Sequence, residues 1–150
     1  MKKISLVLTL LVLSIFTSMS FAFSPIGYWK TIDDVTHQPK SIVHITENNQ
    51  HQLQGQVVKL FKGALQFCSA CSGDKKDKPI LGMVVITGLK QNPDNENIWE
   101  GGEALDPKSG KIYRCSVTVI DNGQQLNARG YIGIPLFGRT QTWIRVNEKN

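Results

Sequence analysis

Two closely spaced cysteines are the residues of this sequence whose types and spacing most directly suggest chemistry. Cys68 and Cys71 enclose two small residues and form a Cys-x-x-Cys pair. Such a pair works as a redox couple when it opens a helix in a βαβ unit, whereas the Ser-Gly-Asp that follows at 72–74 is typical of a loop. We therefore expect a local Cys68–Cys71 disulfide with Cys115 as a buried thiol. Pairing of Cys115 with one of the other two is the alternative.

Three histidines, His37, His44 and His51, raise the question of a metal site. Only the two cysteines of the pair have ligand spacing, however, and no second pair follows them. If Asn48-Asn49 formed a two-residue turn, His51 would face Thr46 and lie diagonally from His44, close enough for a surface metal. Exposed polar positions explain the histidines more simply, so we predict no metal and no cofactor.

Motifs of known catalytic machinery are missing from the sequence. It contains no Gly-x-Ser-x-Gly, His-Glu-x-x-His, Walker or dinucleotide-binding glycine pattern. Glu103, in a β-rich segment, would be a candidate general base if it faced a barrel interior, but a lone buried carboxylate is as often a structural group. We assign no catalytic residue, and a small enzyme using Glu103 or the Cys68/Cys71 pair is the least favoured function.

An unusually apolar connection runs through residues 133–138 and contains Leu136 and Phe137, with Arg139 directly after it. One interpretation is that the two apolar side chains fold back as a plug over one end of the protein. The other is an apolar entrance, in which Leu136 and Phe137 join Arg139 and Tyr113 in binding a small amphipathic or anionic ligand.

Short strands separated by turns must position these residues. All 13 glycines and 6 prolines lie after residue 22, which leaves little room for long helices. In a predicted strand at 111–120, residues 113, 115, 117 and 119 form one face and the polar residues 114, 116 and 118 lie on the other, the two-residue period of a half-buried strand. Similar segments predict seven further strands, at 27–32, 41–46, 53–60, 81–87, 98–105, 125–132 and 140–146.

The connections carry the residues of tight turns, for example at 47–50, 106–110 and 121–123. Eight sequential strands joined in this way predict an all-β, single-domain, antiparallel up-and-down barrel, because closure removes both exposed edges of the sheet. The interior of such a barrel is large enough for one small ligand. A two-sheet β-sandwich is the alternative.

The N-terminus has the order of a secretory signal. Lys2 and Lys3 precede an apolar run of residues 4–16 and a small-residue segment that ends at Ala22. The run is shorter than the ~20 residues of a membrane span. We expect a signal peptide at 1–22, a single domain at 23–150 without a membrane span, and a periplasmic or secreted protein of a Gram-negative bacterium.

Length and charge exclude several classes of protein. With 150 residues, 41% of them hydrophobic and a net charge of +5, the chain suits one globular domain, and it is too short for a multidomain enzyme, a channel or a transporter. Five lysines crowd positions 59–78, but two aspartates interrupt them, and a nucleic-acid site needs a denser basic stripe. We therefore expect no nucleic-acid partner.

Two resemblances to known families add to this prediction. Gly27-Tyr28-Trp29 in the first strand and Arg145 in the last resemble the lipocalin-like (calycin) barrels, in which a final-strand Arg packs on the Trp of Gly-x-Trp and closes the barrel. The segments 27–34, 39–43, 105–113 and above all 130–143, Gly-Tyr-Ile-Gly-Ile-Pro-Leu-Phe-Gly-Arg-Thr-Gln-Thr-Trp, are similar to a bacterial family of small secreted proteins, domain of unknown function 2147. The resemblance implies one exported β domain and no catalytic residues.

The function expected from these observations is non-catalytic binding of a small apolar or amphipathic ligand. The alternative is a module of the cell envelope that binds a protein partner through the apolar residues around Leu136 and Phe137. A partly unfilled interior would favour the first, and a packed interior with an exposed apolar patch would favour the second.

Overall fold

Eight antiparallel strands close into one barrel in the computed structural model, which describes residues 23–148. Each strand pairs with its sequence neighbours, and β1 pairs with β8 to complete the ring. The strands are β1 (Gly27–Ile32), β2 (Pro39–Glu47), β3 (Leu53–Leu60), β4 (Val84–Asn92), β5 (Asn95–Asp106), β6 (Lys111–Ile120), β7 (Gln125–Tyr131) and β8 (Gly138–Val146). The predicted up-and-down barrel is confirmed, and the sandwich alternative is wrong. The predicted signal peptide lies outside the described residues.

Strict alternation decides which side chains enter the interior. On β6, Cys115, Val117 and Val119 are buried, while the residues between them are more exposed. Trp29, Leu53 and other inward-facing residues of the remaining strands meet them in one core. This is the arrangement that a period of two predicts for a sheet closed on itself.

The fourth strand begins later than the sequence suggested. We predicted a strand at 81–87, but residues 81–83 belong to a turn, in which Gly82 has φ +86° and its amide donates to the carbonyl of Val57 at 2.7 Å. The strand instead extends to Asn92, where polar residues continue the pairing with β5. The link between β3 and β4 is therefore residues 61–83, three residues longer than the link at 61–80 that the predicted strands left between them.

That long loop, residues 61–83, folds back on itself. Phe67 pairs with Pro79 in an isolated β-bridge, and the amide of Cys68 donates to the carbonyl of Lys78 at 2.9 Å. Cys68 and Ile80 are buried in the core, which anchors the loop to the barrel.

The two ends of the barrel differ in their connections. We call the end that carries loops 33–38, 61–83, 107–110 and 132–137 the mouth, and the end that carries loops 48–52, 93–94 and 121–124 the closed end. Antiparallel up-and-down topology places alternate connections together in this way. Between residues 23 and 148, no helix is long and apolar enough to cross a membrane.

Candidate functional site

A cavity of about 570 Å³ occupies the barrel on the mouth side. Its apolar walls come from strands on all sides and include Val43, Val57, Val85, Ile86 and Trp143. The long loop adds Leu65 and Ile80. A volume of this size falls within the range of ~300–1,000 Å³ that small-molecule pockets occupy.

Charged side chains ring the entrance to this cavity. Arg139, at the start of β8, forms an ion pair with Asp34 of the first loop, and Lys40 Nζ lies 3.7 Å from Asp33 Oδ2. All four residues line the cavity, and Lys108 joins them from the β5–β6 turn. The cavity is therefore apolar in its depth and charged at its rim.

Asp33 accepts several hydrogen bonds from the turn that it caps. Its carboxylate accepts the amide of Thr36 at 2.8 Å, the hydroxyl of Thr36 at 3.0 Å and the amide of Val35 at 3.1 Å. These bonds, the Thr36 amide first, lower the pKa of Asp33 to about 2, and Lys40 adds a smaller effect in the same direction. The turn at the rim is thus fixed by a permanent anion.

Two of the residues that we predicted to bind ligand, Tyr113 and Arg139, line the cavity. Tyr113 faces inward from β6 and lies beside Gly130 of β7, where an added Cβ would be 3.4 Å from that of Tyr113, an ordinary van der Waals contact. Cys115 lies two residues deeper on the same face. Burial raises the pKa of its thiol to about 12, so this sulfur is neutral and a poor nucleophile at physiological pH.

Leu136 and Phe137 lie outside the cavity lining, and each is 76% exposed. The plug that we considered is therefore not formed. Arg129, whose neighbour Ala128 lines the cavity, donates from Nε to the carbonyl of Pro135 at 2.9 Å and from Nη1 to Thr140 Oγ1 at 2.8 Å. These bonds attach the loop to the outer side of β7 and β8, and ligand contact by Leu136 and Phe137 stays a prediction.

Glu103 faces outward, so the idea of a general base inside the barrel is wrong. Its neighbour Gly102 is buried, and Ala104 lines the cavity. A Cβ at Gly102 would lie only 2.4 Å from the carbonyl oxygen of Thr87, which shows how closely β4 and β5 approach there. Because sides alternate along a strand, Glu103 between these two residues is exposed on the outer wall.

The three cysteines divide as the first of our two pairings predicted. Cys68 and Cys71 are at disulfide-bonding distance, with their Cα atoms 5.3 Å apart, and Cys115 is a free buried thiol. Cys68 is fully buried. Ala70, between the two cysteines, packs against Gly110 of the β5–β6 turn so closely that a Cβ on residue 110 would clash with the carbonyl of Ala70. The pair thus fastens the long loop beside the rim.

The histidines do not gather into a site. The turn after β2 spans residues 48–52, because Glu47 pairs with Leu53, so our two-residue turn at Asn48-Asn49 is wrong. His51 contacts Glu47, and His44 stacks on Tyr28 with ring centroids 4.1 Å apart. Residues 23–148 include no group of three or more metal-ligating side chains.

The closed end is sealed by the two residues that the sequence singled out for closure. The guanidinium of Arg145 lies over the Trp29 ring, 4.2 Å from its centroid. It also donates to the carbonyls of Ser24 at 2.7 Å and Ile26 at 3.0 Å. Partial burial lowers the pKa of Arg145. The indole Nε1 of the fully buried Trp29 donates to the carbonyl of Pro25 at 2.7 Å.

A family model described as an uncharacterized protein conserved in bacteria, domain of unknown function 2147 (DUF2147), matches residues 27–145. The chain belongs to the DUF2147 family. The matched residues run from the start of β1 to Arg145 of β8, so the DUF2147 domain is the whole barrel. No curated protein matches the sequence.

The fold is also similar to a solved structure, a protein from the human pathogen Helicobacter pylori described as belonging to the lipocalin family. The TM-score is 0.71 at 20% sequence identity, and the match covers 83% of this chain and 84% of that one. At this identity the likeness establishes the fold of the DUF2147 domain as lipocalin-like.

Several rim residues escaped the sequence reasoning. Our candidate site residues did not include Asp33, Asp34, Lys40 or Lys108. Charged residues recur in alternate connections and at the strand ends beside them. An up-and-down barrel brings alternate connections to the same end, so this recurrence could have identified the charged rim.

Proposed function

We propose that this DUF2147 protein binds a small amphipathic molecule, with the apolar part inside the barrel and an anionic group at the mouth. The observation that carries this proposal is the cavity of about 570 Å³ with apolar walls and a charged entrance. The lipocalin-like fold supports a ligand-binding barrel.

The walls favour an apolar body for the ligand. Val43, Val57 and Val85 offer it no hydrogen-bonding side chain, so a polar group at that depth would lose its water without replacement. Each methylene that moves from water into such surroundings contributes about 0.8 kcal/mol.

The rim favours an anionic group. Asp33 is bonded to its own turn, and Asp106 accepts the amide of Lys108 at 3.0 Å and the hydroxyl of Ser109 at 2.7 Å. Arg139 meets Asp34 through Nε, which leaves its terminal nitrogens for a second acceptor. A carboxylate, sulfonate or phosphate group would bind between Arg139 and Lys108, where charge-assisted hydrogen bonds are strongest.

Binding of 1-anilinonaphthalene-8-sulfonate, an apolar ring system with one anionic group, tests the proposal. We expect the dye to bind the native protein, Ala128→Phe to abolish binding by filling the cavity, and Arg139→Gln to weaken it about fivefold to tenfold. Arg114→Gln is the matched control, because Arg114 is exposed on the outer wall of β6 and should leave affinity unchanged.

Circular dichroism of each variant separates loss of binding from loss of folding. Undiminished dye binding by folded Ala128→Phe would place the dye outside the barrel and overturn the proposal. If Arg139→Gln and Arg114→Gln changed the affinity for the dye equally, the proposed anion-binding site at Arg139 would be refuted, and only the proposed apolar cavity would remain.

The proposed setting is the periplasm or the exterior of the cell. The N-terminal signal pattern and a disulfide-distance cysteine pair support it, because disulfides persist in oxidising compartments. Mass spectrometry of the protein recovered from its own cells, native and then denatured, tests this and the ligand together. A chain beginning at Phe23 with a mass lost on denaturation is expected, whereas a chain that keeps residues 1–22 would refute export with cleavage.

The alternative of an envelope module that binds a protein partner is supported by the exposure of Leu136 and Phe137. In that case dye binding would be absent, and crosslinking from position 137 in cells would capture one defined protein. The exposed Glu103 gives an enzymatic function no comparable support.

A further inference from the structure

The mouth of the barrel is unusual in the apolar side chains that it presents to water. In the loop from β7 to β8, Ile134 is 53% exposed and Leu136 and Phe137 are each 76% exposed. We call these three residues the apolar prong. Val35 of the first loop is 70% exposed, and Leu65 of the long loop is 52% exposed.

The closed end lacks this property. Its three loops, residues 48–52, 93–94 and 121–124, consist of polar residues, glycine and proline. The apolar side chains exposed nearby are Ile26 and Phe23 of the N-terminal segment and Ile144 of β8, each about 40% exposed. The asymmetry therefore belongs to the loops that surround the cavity entrance.

The exposure of the prong is built into the fold. Residues 135–137 form a 3-10 turn, in which the amide of Phe137 donates to the carbonyl of Ile134 at 3.2 Å. Arg129 donates hydrogen bonds from Nε and Nη2 to the carbonyl of Pro135. Holding Leu136 and Phe137 in water costs free energy, so a turn that is fixed in this way is explained best by a partner that covers it.

Charge distinguishes the two ends as well. The mouth loops contain five lysines against four aspartates. Asp33 and Asp34 are ion-paired with Lys40 and Arg139 of the strands, and Asp77 is ion-paired with Lys76, one of the five lysines. The closed-end loops contain two aspartates and no lysine or arginine. An end of the barrel that carries both an apolar projection and five lysines is complementary to a surface that is anionic outside and apolar beneath.

We infer that the mouth docks on an anionic lipid bilayer, with Leu136 and Phe137 inserted below the headgroups and the lysines of the mouth loops against them. A bilayer fits better than a protein groove, because the exposed apolar residues come from three separate loops around an opening rather than from one continuous ridge. The cavity would then open toward the membrane. This inference does not depend on the proposed ligand, since the prong lies outside the cavity lining.

Co-sedimentation with vesicles tests the docking. We would use protein recovered after export, with its N-terminus read by mass spectrometry, and vesicles of phosphatidylcholine with or without phosphatidylglycerol. The protein should bind the anionic vesicles more tightly, and added salt should weaken binding. Leu136→Ser/Phe137→Ser should lower the partition coefficient at least about tenfold, given the apolar area withdrawn from lipid.

Ile26→Ser/Ile144→Ser is the matched control, because it removes two exposed apolar side chains from the closed end. It should leave vesicle binding unchanged. Equal losses in the two double variants, or no vesicle binding by the native protein, would overturn the inference. So would light scattering that shows a native dimer which the prong variant converts to a monomer, since the prong would then be covered by a second copy.

The same samples keep this inference separate from the proposed function. The prong variant should bind 1-anilinonaphthalene-8-sulfonate as the native protein does, because neither substituted residue lines the cavity. Loss of vesicle binding with intact dye binding supports docking through the prong. Vesicle binding by a native protein that binds no dye would leave the docking in place and refute the cavity proposal.

Discussion

Replacing Arg145 by methionine should destabilise the barrel without altering its cavity. Methionine keeps much of the apolar length of the side chain but removes the cation over Trp29 and every hydrogen bond from the guanidinium. The cation–π contact contributes about 0.5–2 kcal/mol. A charged hydrogen bond to a carbonyl contributes about 1.5–3 kcal/mol. Water can replace the arginine at the exposed carbonyls of Ser24 and Ile26, but the part-buried bond from Nε to the carbonyl of Gly123 is lost. We therefore expect a loss of about 2–4 kcal/mol in the free energy of unfolding.

Arg139→Met is the matched perturbation, because it removes an arginine from the other end of the same strand. The Arg139 side chain is 66% exposed, and its ion pair with Asp34 is open to solvent. Such surface pairs contribute at most about 1 kcal/mol. Arg139→Met should therefore weaken dye binding with little effect on stability, and Arg145→Met should do the reverse.

Urea unfolding followed by tryptophan fluorescence measures both variants, with a far-ultraviolet circular dichroism transition as a check on two-state behaviour. For both variants, the slope of the free energy of unfolding against urea concentration should equal that of the native protein. A loss below about 1 kcal/mol for Arg145→Met would refute the reasoning, since it would mean that the cation over Trp29 does not close the barrel. An equal loss for Arg139→Met would show that neither position is special.

Two further predictions concern the cavity wall and the long loop. Burial penalises the thiolate of Cys115 and raises its pKa from 9.0 to about 12. The folded protein is therefore fully stable with respect to this group below pH 9 and loses stability as pH rises from 9 through 12, where the unfolded chain ionises first. At pH 8 iodoacetamide should label native Cys115 about a thousandfold more slowly than unfolded protein, and rapid native labelling would contradict its burial. Gly110→Ala should cost about 1–3 kcal/mol more than Gly63→Ala, because both have positive φ but only Gly110 abuts Ala70. Equal decreases in the melting temperature of Gly110→Ala and Gly63→Ala would argue against the contact between Gly110 and Ala70.

The strands and their closure could be predicted because their causes are local. Alternation over 111–120 assigns each side chain to one face, and β6 follows it from Lys111 to Ile120. Trp29 and Arg145 were identified as a closing pair from a short motif at each end of the chain, and the structure brings them together. In an up-and-down barrel the first and last strands are neighbours by topology, so little further information was required.

The direction of side chains near irregular backbone could not be predicted in the same way. Alternation restarts at a bulge, and β5 shifts its register between Trp99 and Gly102. The face of Glu103 therefore depended on that bulge, which the Gly-Gly pair at 101 and 102 only hinted at. The start of β4 depended likewise on the turn that Gly82 makes against β3.

The sequence by itself determined an all-β domain, and it favoured the barrel, the Cys68–Cys71 pair and two of the cavity residues, Tyr113 and Arg139, because periodicity, spacing and strand order follow from neighbours along the chain. Only the tertiary structure decided that Leu136 and Phe137 point into water, since their direction depends on Arg129 from the preceding strand. It also decided that the interior is open. A cavity is the difference between the space that eight strands enclose and the side chains that fill it, and that difference exists only once all of them are in place.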